Sequence, residues 1–179
     1  MKKLPIRKEW KQIRAHFRRS MQSNSHVVVT LVDDEGYPRP MPIGSVTLNR
    51  EEPGGYFIEK FTSSFARFGE EGQRICVLAV NTNKWFWLRS LLKGHFYRPP
   101  AIRLYGRLGK LTEGTEEEKE RFQRLVRPVK RTKGYKIMWK DMNRVRELSF
   151  ERAEGANLGL MTDALWKSFV GSVEERVVH

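Results

Sequence analysis

The chain has 179 residues, of which 39% are hydrophobic and 31% charged, a balance that suits a globular domain with its own core. Its 34 lysines and arginines outnumber 21 acidic residues, and the resulting net charge of +13 favours an anionic partner: a phosphorylated cofactor, a nucleic acid or an acidic membrane surface. No apolar run reaches the roughly 20 residues of a membrane span, and the single cysteine, Cys76, cannot form an internal disulfide, so the composition excludes a disulfide-rich scaffold and predicts a cytoplasmic protein without a membrane span.

The first predicted element is an amphipathic helix. Apolar side chains recur at helical spacing between residues 6 and 21, while arginine and lysine occupy most other positions. The apolar positions are Ile6, Trp10, Ile13, Phe17 and Met21. This pattern predicts a helix that packs one stripe on its own domain, and an arm for a membrane surface or a nucleic acid is the alternative.

Two strands are predicted next. The stretch "HVVVTLV" from His26 is rich in β-branched residues and ends in the acidic turn "DDEG". The stretch "RPMPIGSVTL" is predicted as a second strand, at an edge, because Pro38, Pro40 and Pro42 cannot donate to a strand ladder. These prolines and Gly44 are expected to leave backbone N–H and C=O groups free at the rim of a barrel.

The remaining elements alternate between strands and helices. The strands are "YFIEKF", "RICVLAV" (apolar enough to be buried on both faces), "AIRLYGRLGKL" and "RVRELSFERAE". The helices are "TSSFARFGEEG", the aromatic insertion at 84–97, "TEEEKERFQRLV" and the tail from Asp163, and Thr115 with Glu118 matches a capping box.

These elements predict a single domain over residues 1–179. It comprises a basic amphipathic helix at 1–22, a barrel core at 23–115, and helices with a closing strand at 116–179. Six or so short strands with helices between them favour a mainly β (α+β) barrel with peripheral helices over alternating βαβ units.

Motifs for independent catalysis are missing. The four histidines are scattered, no Cys/His spacing indicates a metal site, and there is no Walker loop, no GxGxxG after a strand and no GxSxG elbow. Catalytic residues are therefore unassigned and no metal is predicted. If the protein is an enzyme, a bound cofactor is expected to supply the chemistry.

Three stretches, in order, carry a family resemblance: "HVVVTLVDDEGYPRPMPIGSV", "GYFIEKFTSSFARFGEEGQRICVLAV" and "AIRLYGRLGKL". Over roughly residues 20–115 the chain resembles the FMN-binding split-barrel family, the pyridoxamine 5′-phosphate oxidase-like proteins. The resemblance implies a six-stranded split β-barrel, FMN as cofactor, and a homodimer with its FMN sites between subunits. The family also includes members that bind haem or other flavin-like cofactors.

The resemblance also implies where FMN binds. A helix that starts at Thr62 would present free N–H groups to the phosphate, and Arg67 would add a cation. The family's Ser-Arg-Lys triplet is replaced here by Ser63-Ser64-Phe65. The candidate cofactor-binding residues are Pro42, Ile43, Gly44, Ser45, Glu59, Lys60, Phe61, Thr62, Ser63, Ser64 and Arg67.

The sequence thus predicts an FMN-dependent oxidoreductase that passes electrons between FMN and a small molecule or nicotinamide cofactor. A homodimer is expected, with Trp85, Trp87 and Trp139 near its interface or the flavin. The alternative is a basic nucleic-acid-binding β-barrel without flavin, which would stack bases on the aromatic rings of residues 85–97.

Overall fold

The computed structural model describes residues 2–59, 68–139 and 143–174. The candidate residues from Lys60 to Arg67, and with them most of the predicted short helix, lie outside the described residues. The strands are β1 (Lys2–Leu4), β2 (Val27–Val32), β3 (Pro38–Ile43), β4 (Thr47–Leu48), β5 (Gly54–Glu59), β6 (Arg74–Val80), β7 (Ala101–Glu113) and β8 (Arg144–Gly155). The helices are α1 (Trp10–Asn24), α2 (Lys84–Lys93), α3 (Glu116–Val126), α4 (Lys133–Met138) and α5 (Leu160–Glu174), with a 3-10 turn at Arg127–Val129.

All eight strands form one antiparallel sheet. Its order is β3-β2-β6-β7-β8-β5-β4, and β1 pairs with β8 beside this path. The two edge strands, β3 and β4, are consecutive in the chain and are joined by residues 44–46 alone. Since four Cα steps span at most about 15 Å, the sheet must curl until its edges nearly meet. The predicted α+β split barrel with peripheral helices is thereby confirmed.

The described sheet has more strands than the six predicted. The stretch read as one strand over 39–48 is two strands on opposite edges, because the chain leaves β3 at Ile43 and re-enters the sheet as β4 at Thr47. β1 has only three residues, too few to show a period-2 pattern in the sequence.

β3 is an edge strand, as its prolines predict. Pro38, Pro40 and Pro42 pair with alternate residues of β2. Because proline has no N–H, only Arg39, Met41 and Ile43 can donate to β2. The carbonyl groups of the three prolines therefore point toward the free edge of the sheet. β3 is nevertheless paired with β2 over all six residues, so the expectation of free N–H groups is wrong within β3, whose free edge offers the proline carbonyl groups only.

α1 packs its apolar stripe on one face of the sheet, which confirms the simpler of the two predictions for this helix. It starts later than predicted, at Trp10: Lys2–Leu4 form β1 and Ile6 lies in a turn. Trp10, Ile13 and Phe17 are buried in the main core with residues of β2, β6, β7 and β8. His16 is buried on the same helix, with its Nε2 3.0 Å from the Ala79 carbonyl oxygen. Burial lowers the pKa of His16 to about 4 and keeps its ring neutral.

β6 buries one face completely and the other only in part. Ile75, Val77 and Ala79 point into the main core, whereas Cys76 and Leu78 on the opposite face are half-buried. The prediction of burial on both faces is therefore correct for one face. A run of apolar residues cannot by itself distinguish a fully covered strand from one that is covered on one side.

A second core covers the opposite face at the β5–β8 end of the sheet. It is made by Ile58, Phe122, Val126, Tyr135 and Val145. The capping box that starts α3 is confirmed: the Thr115 hydroxyl accepts the Glu118 N–H at 3.3 Å, and the Glu118 carboxylate accepts the Thr115 N–H at 2.8 Å. α4 was not predicted, because its six residues are too short to show helical periodicity.

Candidate functional site

A cleft of about 1560 Å³ opens where the barrel is split. It is lined by residues 42–48 between the two sheet edges, by 56–59 of β5, and by one side each of α1 and α3. Sites for small molecules usually enclose about 300–1,000 Å³, so this cleft can accommodate a cofactor together with a second molecule.

The structure brings five predicted site residues together in this cleft. Pro42, Ile43, Gly44 and Ser45 lie on one side of it, and Glu59 lies at the end of β5. Residues 60–67 follow Glu59 directly in the chain, so the predicted phosphate-binding segment starts at a residue that lines the cleft.

Two of these residues shape the cleft through the backbone. The Ser45 hydroxyl accepts the Ile58 N–H at 3.1 Å and lies 3.3 Å from the Ile58 carbonyl oxygen, so it fastens the loop to β5. A Cβ on Gly44 would lie 3.0 Å from the Ser25 carbonyl oxygen, which favours glycine at this close approach. At Gly44 and Ser45 the loop therefore offers a ligand mainly backbone groups.

The carboxylate of Glu59 is occupied by a buried ion pair. Its oxygens lie 2.7 Å from Nε and 3.3 Å from Nη2 of Arg146, and the two side chains are 2% and 7% exposed. Arg146 also approaches the Gly109 carbonyl oxygen at 3.4 Å. This pair attaches the end of β5 to β8 and holds one side of the cleft. The sequence analysis missed Arg146, because β8 contains several charged residues and nothing in its pattern distinguishes this arginine from the exposed ones.

One side of the cleft is strongly basic. We call Lys11, Arg14, Arg18, Arg121 and Arg124 the basic wall, because all five line the cleft from α1 and α3. The spacing along each helix, three or four residues, places these side chains on one helix face. The sequence analysis noted the basic N-terminus but not this spacing, which was the available signal.

Acidic groups in the cleft do not offset this charge. Glu118 is used in the cap of α3, and Glu59 is paired with Arg146. Of the basic wall, Arg124 approaches Glu120 at 3.6 Å, while Arg18 and Arg121 have no ion-pair partner among the described residues. The cleft thus has a surplus of positive charge available to an anionic ligand.

The rest of the lining is apolar and aromatic. Its members include Met21, Ile43, Leu48, Tyr56 and Trp139. Apolar side chains and a basic wall in one cleft suit a ligand with a flat aromatic part and an anionic part.

The aromatic insertion lies elsewhere and mostly fills the core. Phe86 and Phe96 are buried with ring centroids 5.5 Å apart, and the Trp87 indole donates to the Asn81 carbonyl oxygen at 2.6 Å. Trp85 is exposed. Of the tryptophans expected near the flavin, only Trp139 lines the cleft. Of the rings proposed for stacking on nucleic-acid bases, Phe86 and Phe96 are buried and Trp87 is half-buried, whereas Trp85 and Tyr97 are exposed.

Two further findings concern the described residues only. They contain no group of three or more histidine, cysteine, aspartate or glutamate side chains that could hold a metal ion. None of their helices combines the length and the apolar character needed to cross a membrane.

Comparisons with known proteins identify relatives by structure. No family model and no curated protein sequence matches the chain. An FMN-binding protein from Syntrophomonas wolfei is 15% identical, with a TM-score of 0.51 over 86% of this chain and 96% of that one. HupZ from Group A Streptococcus is 16% identical, with a TM-score of 0.50 over 83% of this chain and 98% of that one. At these identities the similarity establishes the fold.

Proposed function

We propose that this chain, whose fold is the split barrel of FMN-binding and pyridoxamine 5′-phosphate oxidase-like proteins, is an FMN-binding flavoprotein. The observation that carries the proposal is the cleft at the split, where a loop with accessible backbone groups, apolar side chains and a basic wall line one space. The loop and the apolar side chains suit the planar ring of FMN with its polar edges, and the basic wall suits its phosphate.

We place the ring against residues Ile43–Ser45. Gly44 has no side chain, and the Ser45 hydroxyl is already bonded to β5, so backbone groups of this loop would bind the polar edge of the ring. Apolar neighbours such as Leu48 and Tyr56 would contact its face. The bound group would supply electron transfer, which amino-acid side chains provide poorly.

We place the phosphate at the basic wall. Arg18 and Arg121 have no ion-pair partner among the described residues and can donate charge-assisted hydrogen bonds to a dianion. The segment from Thr62 to Arg67 remains the competing position, because it follows the cleft residue Glu59 in the chain.

We further propose an oxidoreductase role in the cytoplasm. The electrons would come from a nicotinamide cofactor or a small reduced molecule. The cleft volume of about 1560 Å³ supports an electron donor bound beside the flavin, because it leaves space for a second molecule.

The test is the visible absorbance of the purified protein, followed by titration of the flavin-free protein with FMN and with riboflavin. We expect the absorption of an oxidised flavin, tight binding of FMN, and weaker binding of riboflavin, which lacks the phosphate. Absence of FMN binding at about micromolar concentrations, where small-molecule sites normally bind, would contradict the proposal. Copurification of haem in place of flavin would do the same.

We also propose a homodimer, formed through the sheet face opposite to α1. Val28, Leu78, Cys76 and Tyr105 adjoin one another there and are only half-buried. Beside them Glu154 is buried with an Oε2 atom that has no hydrogen-bond partner among the described residues. A second copy would cover the apolar side chains and could supply that partner.

Sedimentation analysis tests the dimer. We expect twice the 21.1 kDa mass of one chain at micromolar concentration, and we expect Leu78→Arg to give a single chain because it places a charge in the contact. Leu158→Arg, at an exposed position in the loop after β8, serves as the control. A wild-type mass of one chain would contradict the dimer.

A further inference from the structure

The outer face of α2 is apolar although nothing in the described structure covers it. The inner face of this helix contributes Phe86 to the main core. On the outer side Trp85 is 78% exposed, Leu91 64% and Leu92 80%, and Leu88 is also exposed. We call these four residues the outer α2 face. Exposed apolar side chains grouped on one surface mark an interaction site more often than single ones do, so this face indicates a partner.

A further leucine lies close to this face. The Phe96 N–H, in the loop after α2, donates to the Met161 carbonyl oxygen at 2.7 Å, which brings the start of α5 to the end of α2. Leu160 at that point is 88% exposed. The exposed apolar surface therefore extends beyond one helix.

Positive charge surrounds this surface. The α2 segment, residues 84–98, contains Lys84, Arg89, Lys93 and Arg98 and no acidic residue. The guanidinium groups of Arg89 and Arg98 both lie over the Tyr97 ring, at 5.3 and 5.5 Å from its centroid. Burial, followed by the like charges of Arg98 and Arg18, lowers the pKa of Arg19. None of the ion pairs among the described residues involves Arg19, Arg89 or Arg98.

Apolar side chains that project from a rim of lysine and arginine match a lipid surface with anionic headgroups. Such helices lie in the plane of the membrane, with tryptophan and leucine in the acyl boundary and basic residues at the headgroups. A second copy of the chain matches less well, because a two-fold contact would bring two identical basic rims together. The cytoplasmic leaflet carries the required negative charge.

We propose that the outer α2 face, with Leu160, binds the surface of an anionic lipid bilayer. The helix would lie in the interface without crossing it. The proposal does not depend on flavin binding. It assigns a partner to the aromatic insertion at 84–97, which does not line the cleft.

Vesicle cosedimentation tests this proposal. We expect the full chain to sediment with vesicles of phosphatidylcholine and phosphatidylserine, much less with phosphatidylcholine alone, and less at high salt. Trp85→Ser and Leu92→Ser should each weaken the binding about tenfold, because each removes a large apolar side chain from the acyl boundary. Ile137→Ser is the matched control: Ile137 is 76% exposed but lies on α4, which packs with the second core.

Three results would overturn the proposal. The first is equal sedimentation with neutral and anionic vesicles, or none with either. The second is an equal loss of binding in Ile137→Ser and Leu92→Ser. The third is a change in the mass of the free protein in Leu92→Ser without a change in vesicle binding, which would assign the face to self-association. Unchanged far-ultraviolet circular dichroism of each variant shows that it is folded.

Discussion

Replacing both Arg18 and Arg121 with glutamine is expected to lower the affinity for FMN about 100-fold or more and to leave the affinity for riboflavin nearly unchanged. Each charge-assisted hydrogen bond to a phosphate contributes about 1.5–3 kcal/mol, and the two arginines lie on different helices that line the same cleft. Titration of both flavins against the wild-type and double-variant proteins measures the difference.

The control for this experiment is Arg74→Gln, which removes an exposed positive charge from β6, outside the cleft lining. This control separates the loss of FMN affinity caused by a lost phosphate contact from the smaller loss caused by a lower net charge. The competing phosphate position is tested in parallel with Arg67→Ala. A loss of FMN affinity in that variant but not in Arg18→Gln/Arg121→Gln would move the phosphate to residues 62–67.

Replacing Glu59 with glutamine is expected to lower the free energy of unfolding by about 3–5 kcal/mol. The change leaves the Arg146 guanidinium, whose side chain is 7% exposed, without a counter-charge. Because typical domains have only about 5–15 kcal/mol of stability, this loss should shift the urea unfolding midpoint strongly.

Two further variants test the reason for that loss. Glu120→Gln breaks the exposed pair with Arg124 and should cost less than about 1 kcal/mol. Glu59→Leu combined with Arg146→Met removes both charges and should be more stable than Glu59→Gln, because no unpaired charge stays buried. Equal stability of Glu59→Gln and Glu120→Gln would show that the buried pair is not what holds β5 on β8.

The sequence predicted the elements with strong local patterns. The stripe of α1, the capping box at Thr115 and the β-branched run of β2 each depend on neighbouring residues, and the structure confirms all three. The break at Gly44–Val46 was missed because it depends on where the barrel edges meet, which is a property of the whole sheet.

In the candidate site too, residues in a local motif could be predicted and residues that depend on distant contacts could not. Pro42 to Ser45 could be predicted because a continuous motif carries them. Arg146 and the basic wall could not be assigned, because their partners are distant in the sequence: Arg146 pairs across 87 residues, and the wall joins two helices about a hundred residues apart. Contacts of this kind appear only when the chain has folded.

The prolines of β3 also bear on how an incompletely closed barrel avoids aggregation. An open sheet edge is a template on which strands of other chains can assemble. At Pro38, Pro40 and Pro42 the outward edge lacks every N–H donor that an incoming strand would need, and the opposite edge, β4, is only two residues long. The split can therefore stay open for a ligand without becoming a starting point for cross-β association.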